Sequence, residues 1–343
     1  MKAWLLNGVS DLSQTNCPLV LGEILLPVPK GYQVLIKVSC CGICHTELDE
    51  IEGRTAPPVY PVVPGHQVVG TVTQKGENSY RFKIGDRVGV AWIFSACGDC
   101  EYCLNGMENL CSSFKATGRD AHGGYAEYML IDEHFAFLLP PTLSDFEIAP
   151  LLCAGAIGYR SLMLTGLTNG QFLGLTGFGA SGHLVLKMAK YLYPKSSIFV
   201  FARSKEEQKF ALELGADWAG DVEAAPSQSL HAVIDTTPVW KTVLSALSHL
   251  RPGGRLVINA IRKESSDQEE WLKLNYEKQL WMEKEIKSVA NICRKDVEEF
   301  LDLAAKVPIK PEVEIYPFEK ANEALLDLKM RHIKGAKVLD NKI

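Results

Sequence analysis

Between residues 19 and 137 the apolar positions come in short runs broken by turn residues. Examples are Gln33 to Val38, read as alternating polar and apolar, and Val68 to Val72. Prolines at 27, 29, 57, 58, 61 and 64 punctuate this stretch and predict a barrel-like β domain with long loops. Near Pro150 the texture changes. Strands are predicted at Gln171 to Thr176, Ile198 to Ala202, Ala232 to Asp235 and Arg255 to Ala260. Between them lie helical patterns over Ser181 to Tyr191, Glu206 to Leu214 and Val239 to Leu250; the first of these sets Leu184, Met188, Tyr191 and Leu192 on one stripe. Repeated βα units of this length imply a parallel sheet with helices on both faces. No internal repeat or low-complexity tract interrupts the pattern.

The 343 residues amount to roughly two ordinary domains of about 150 each. Thirty-six basic against 41 acidic side chains leave a net charge of −5, which argues against a nucleic-acid partner. No run reaches the roughly 18 uninterrupted apolar residues of a membrane span. The start, Met1 to Gly8, has too short an apolar stretch for a secretory signal, so the expected location is the cytoplasm. Ten cysteines are many for a reducing compartment and point to metal ligation rather than to disulfides.

Cys97, Cys100, Cys103 and Cys111 fall in a stretch otherwise made of turn residues such as Gly98, Asp99, Asn105 and Gly106. Four thiolates on a short loop suit a tetrahedral structural zinc, with an iron–sulfur cluster as the alternative. Gly177-Phe178-Gly179-Ala180-Ser181-Gly182 follows a predicted strand and opens a predicted helix, the context that gives GxGxxG its meaning as a dinucleotide turn. Gly177 permits the turn, Gly179 admits a pyrophosphate, and Gly182 lets the helix press on the strand; the alternative is a plain glycine-rich loop. About 20 residues on, where an NAD site places an acid on the ribose, the chain reads Ala202-Arg203-Ser204-Lys205. The missing acid, with Arg203 and Lys205 as donors for a 2′-phosphate, favours NADP. Against it stands a plain capping box formed by Ser204 and Glu207.

Cys41-Gly42-Ile43-Cys44-His45-Thr46-Glu47-Leu48, Pro64-Gly65-His66, the four-cysteine lobe and Leu152-Cys153-Ala154-Gly155, in this order and spacing, resemble the zinc-dependent alcohol dehydrogenases of the medium-chain dehydrogenase/reductase superfamily. Gly65-His66-Gln67 and Ser288 to Asn291 look closest to a bacterial branch. The resemblance spans essentially the whole chain. It implies a GroES-like β-barrel catalytic domain over 1–150 with a zinc lobe at 95–113, a Rossmann domain over 151–290, and a segment over 291–343 that returns to the first. It also implies two zinc ions per chain. One would be catalytic on Cys44, His66 and Cys153, leaving an open position for substrate oxygen. By the same resemblance Thr46 takes the substrate proton, and Asp49 stands where many members carry a relay histidine. Gln67 replaces a common Glu, which leaves the metal site one unit less negative. Cys17, Cys40, Cys41 and Cys293 are expected to be core residues.

The expected activity is hydride transfer between a nicotinamide cofactor, NADP over NAD, and a primary alcohol or its aldehyde, with Trp92, Phe94 and Phe114 as apolar candidates for the pocket wall. A secondary-alcohol or polyol dehydrogenase of the same superfamily is the alternative; a non-catalytic dinucleotide- and zinc-binding protein is a third reading. No nucleic acid or membrane partner is expected, and the family resemblance implies a homodimer or homotetramer.

Overall fold

The computed structural model describes residues 1–307, 309–330 and 336–342. The chain divides into two compact units, Met1–Cys153 with Ile292–Ile343, and Ala154–Asn291.

The first unit is built on a seven-stranded sheet. Its backbone is the long strand Gln33–Ile43, antiparallel to Gln67–Lys75 on one side and to Ala336–Asp340 on the other. Tyr128–Asp132 pairs with its first half. Val34, Leu35 and Ile36 are all fully buried, so this strand is covered on both faces and does not show the expected one-sided alternation. A strand paired on both sides and packed on both faces reads as a continuous apolar run, and here Lys37 and Ser39 interrupt it. The C-terminal segment supplies the end of the sheet, because Val313–Pro317 lies parallel to Ala336–Asp340.

The second unit has six parallel strands: β1 Phe172–Thr176, β2 Ser197–Phe201, β3 Trp218–Gly220, β4 Leu230–Asp235, β5 Leu250–Ile258 and β6 Glu285–Ser288. Their spatial order is β3-β2-β1-β4-β5-β6. This is the doubly wound order in which the chain leaves β1 and β4 toward opposite sides, which opens a crevice at their C-terminal ends. Helices Ala180–Leu192, Lys205–Glu213 and Lys241–His249 follow β1, β2 and β4, each within a few residues of the expected span. Leu184 and Met188 are buried as the stripe requires, but Tyr191 is 51% exposed. No helix among the described residues is long and apolar enough to cross a membrane.

Cys40, Cys41 and Cys293 are buried, as expected of core residues. Cys17 is not. It lies exposed in the loop before the strand Leu19–Glu23, where its N–H donates to Thr15 Oγ1 at 3.2 Å. An isolated small apolar residue in a turn has no neighbours to bury it.

Candidate active site and dinucleotide turn

Cys44, His66 and Cys153 come together in the first unit, with their ligand atoms within 4.8 Å of one another. Cys44 follows the long strand and is the N-cap of the short helix His45–Ile51. His66 precedes the strand Gln67–Lys75, and Cys153 lies in the π-helical turn Leu151–Gly155. Cys44 Sγ is 3.7 Å from His66 Nε2. Sulfur and nitrogen sharing a tetrahedral zinc at its usual bond lengths sit roughly 3.5 Å apart, so the donor set fits that ion.

Glu47, quoted in the motif above but given no role there, fixes both ligands. Its Oε2 accepts the Cys44 N–H at 2.8 Å, and its Oε1 lies 2.6 Å from His66 Nδ1. With Nδ1 turned to a carboxylate, Nε2 is the nitrogen left to face a metal. The sign in the sequence is a capping box in which Cys replaces the usual Ser or Thr, with Glu three residues later. Electrostatics follow the same geometry. Burial pulls the His66 pKa down, but the Glu47 carboxylate and the Cys44 sulfur outweigh it and hold the pKa well above the usual imidazole range. The neighbouring Cys153 thiol, and then burial, push Cys44 well above an ordinary thiol. A metal cation, which favours thiolate, offsets that cost. Trp92 stands edge-on to His66, with ring centroids 5.0 Å apart. Phe94 and Phe114 are half-buried. Phe94 lines a separate cleft of about 850 Å³ together with Val59 and His122, and none of the three ligands lines it.

Thr46 and Asp49 are three apart on the helix His45–Ile51 and so share a face. Thr46 is half-buried, and its N–H donates to Cys44 Sγ at 3.4 Å. Asp49 is 4% exposed and its Oδ1 is paired with Arg54 Nε at 2.5 Å. Arg54 in turn holds Glu52, which also meets Lys329. Gln67 is buried, and a Cβ on Gly42 would lie 2.5 Å from its Oε1, so Gly42 makes room for it.

The lobe thiols also converge. Cys97 Sγ lies 3.8 Å from Cys103 Sγ and 3.5 Å from Cys111 Sγ. Two thiolates on one tetrahedral zinc sit roughly 3.8 Å apart, so this set fits too. With four sulfurs it leaves no open position. Hydrogen bonds from backbone N–H groups bring the Cys111 thiol down to about 7. The lobe is tied to the C-terminal segment by Glu108 to Arg294 at 2.8 Å and by Cys293 Sγ to Asn109 Oδ1 at 2.9 Å.

In the second unit, Gly177 turns the chain at φ +82°, and a Cβ there would meet Thr236 Oγ1 at 2.7 Å. A Cβ on Gly179 would meet nothing within 4 Å, whereas one on Gly182 would lie 2.7 Å from the Gly177 carbonyl. The turn is thus open at Gly179 and tight where the helix packs. Ala180 and Ser181 open the helix Ala180–Leu192; the Ala180 side chain lies outside what is described. Beyond β2, Ala202 is buried. Ser204 caps the next helix by accepting the Glu207 N–H at 3.0 Å, and Lys205 donates to Gln208 at 2.9 Å. Only half of the expected capping box forms, since Glu207 does not reach back. Arg203 is exposed and has no partner among the described residues.

Residues 30–141 match the alcohol dehydrogenase GroES-like domain, and residues 180–306 match the zinc-binding dehydrogenase family. Over 344 aligned residues the chain is 40% identical to a Mycobacterium tuberculosis protein named "Probable alcohol dehydrogenase AdhA", covering 99% of this chain and 97% of that one. It is 33% identical over 330 residues to an alcohol dehydrogenase of Geobacillus stearothermophilus, covering 94% and 95%. The structure of a cinnamyl alcohol dehydrogenase from Sorghum bicolor superposes with a TM-score of 0.83 at 28% identity, covering 99% of this chain and 97% of that one. On this likeness, end to end, the chain belongs to the zinc-type alcohol dehydrogenases of the medium-chain dehydrogenase/reductase superfamily.

Proposed function

We propose that this alcohol dehydrogenase interconverts a primary alcohol and its aldehyde with NADP, using a catalytic zinc on Cys44, His66 and Cys153 and a structural zinc on Cys97, Cys100, Cys103 and Cys111. The observation that carries the reaction is the three-donor set: two thiols and an imidazole converge, and Glu47 holds two of the three in place. When bound there, zinc supplies Lewis-acid chemistry, drawing electron density from the substrate oxygen and easing loss of the hydroxyl proton. The chain's own groups do the rest. The Thr46 hydroxyl would take that proton as it passes its own onward, and a nicotinamide held at the glycine turn would accept the hydride from the alcohol carbon, so that alcohol becomes aldehyde. Asp49, on the same face and paired with Arg54 through Oδ1, is the next carrier.

The turn Gly177, Gly179, Ala180, Ser181 and Gly182 holds the cofactor diphosphate at a helix N-terminus. The choice of NADP rests on Arg203. Ser204 and Lys205 spend their polar groups on their own helix, whereas Arg203 is exposed, unpartnered among the described residues and preceded by a small residue where an acid would repel a 2′-phosphate. A working direction of aldehyde reduction, a cytoplasmic location and a dimeric or tetrameric assembly accompany this reading.

The test is the initial rate with a simple aldehyde and zinc-loaded protein, comparing NADPH with NADH at equal concentration. NADPH is expected to be preferred by roughly tenfold or more, with Arg203→Ala removing most of that preference, since a charge-assisted hydrogen bond contributes about 1.5–3 kcal/mol. An equal or faster rate with NADH removes the NADP assignment.

A further inference from the structure

Asp235 ends β4 with a fully buried carboxylate, and its partner is Lys263, whose side chain is 8% exposed. The Lys263 ammonium meets Asp235 Oδ2 and also donates to the carbonyls of Thr237 at 2.8 Å and Val239 at 3.1 Å. All three of its donors are spent on one short stretch of chain. The same stretch is held by two further ties. The Thr237 hydroxyl donates to Asp235 Oδ1 at 2.9 Å, and the Glu264 N–H donates to the Pro238 carbonyl at 2.7 Å.

A buried ion pair is often no more stabilising than a well-packed apolar pair, so stability alone is a weak account of this one. Its placement offers another. The chain strapped by Lys263 lies against the dinucleotide turn: the Thr236 hydroxyl donates to the Thr176 carbonyl at 3.0 Å, and a Cβ on Gly177 would run into Thr236 and Thr237. β1 and β4 are neighbours at the point where the strand order reverses, and ligands of such sheets bind in the crevice at the C-terminal ends of those two strands. Thr236 and Thr237 therefore stand at that crevice beside Gly177, on the stretch that Lys263 straps.

We propose that Lys263 is a positioning residue for the cofactor, fixing the backbone of residues 236–239 in the one arrangement that leaves the crevice open to a dinucleotide. This rests on the reading of Gly177 to Gly182 as the cofactor turn. A stretch that is no longer strapped samples other arrangements, and the apparent affinity falls by the fraction of time spent in them.

The experiment is titration of NADH and NADPH binding by fluorescence on Lys263→Met and on the double variant Asp235→Asn/Lys263→Met. The single variant strands a buried carboxylate and is expected to melt well below the wild type. The double variant removes that charge and is expected to recover most of the melting temperature, while the carbonyls of Thr237 and Val239 stay untied. Its cofactor Kd is expected to rise roughly tenfold, with kcat at saturating cofactor and zinc content within about twofold of the wild type. Wild-type cofactor affinity in the folded double variant overturns the proposal. Gly179→Val tests the turn separately. If it leaves binding intact, the turn reading falls and takes this proposal with it; if it abolishes binding while the double variant binds normally, only the role of Lys263 falls.

Discussion

Cys97 and Cys111 bracket four thiols only 14 positions apart on a lobe whose first cysteine is exposed, whereas Cys44, His66 and Cys153 arrive from three separate elements around a histidine that is 1% exposed. Both sets hold soft donors at tetrahedral spacing. The lobe closes its coordination with a fourth sulfur and is braced from outside, through Glu108 and Asn109, onto the C-terminal segment. Among the described residues the trio stops at three, and it is braced from within, through Glu47 on Cys44 and His66. The number of donors and the direction of the bracing, more than the kind of donor, are what the proposed function uses to separate a structural site from a substrate site.

Changes that leave both ligand sets whole sharpen this contrast. The largest effect is expected at Thr46→Val, which removes the proposed first proton carrier: kcat is expected to fall roughly a hundredfold in steady-state assays while both zinc ions stay bound. Retained turnover would put the proton's route elsewhere. Next is Glu47→Gln, which keeps the shape of the brace and loses its charge. Zinc affinity of the trio is expected to drop roughly tenfold in competition with a chelator, with the lobe zinc unmoved. Equal loss from both sites would mean that Glu47 serves the fold and not the trio. The smallest effect belongs to Glu108→Gln, which weakens a partly exposed pair with Arg294. Such pairs are worth at most about 1 kcal/mol, so the melting temperature is expected to fall by roughly 2–4 °C with kcat unchanged.

The two sets also differ in how far the sequence betrays them. The lobe is legible from spacing alone, because a short loop must carry its ligands close together. The glycine turn is legible because a strand, three glycines and an amphipathic helix follow one another without a gap. The trio is local nowhere: Cys44 and His66 are 22 positions apart, and only likeness to a family joins them to Cys153. Glu47 was hidden by its unusual cap residue, and Lys263 by the distance along the chain to Asp235. The residues from 261 to 290 carried no legible element, since the edge strand Glu285–Ser288 is exposed throughout and offers Ile286 as its single apolar residue. An element with no buried face leaves no periodicity to read.

The most direct test of this division of labour is to replace Cys44 by Ser and to measure zinc per chain, cofactor binding and turnover on the same sample. The account predicts one zinc retained, cofactor affinity unchanged and turnover reduced on the order of a thousandfold, the loss of several kcal/mol of Lewis-acid assistance. Turnover near the wild-type value with that zinc gone would contradict it, for the reaction would then not depend on the trio.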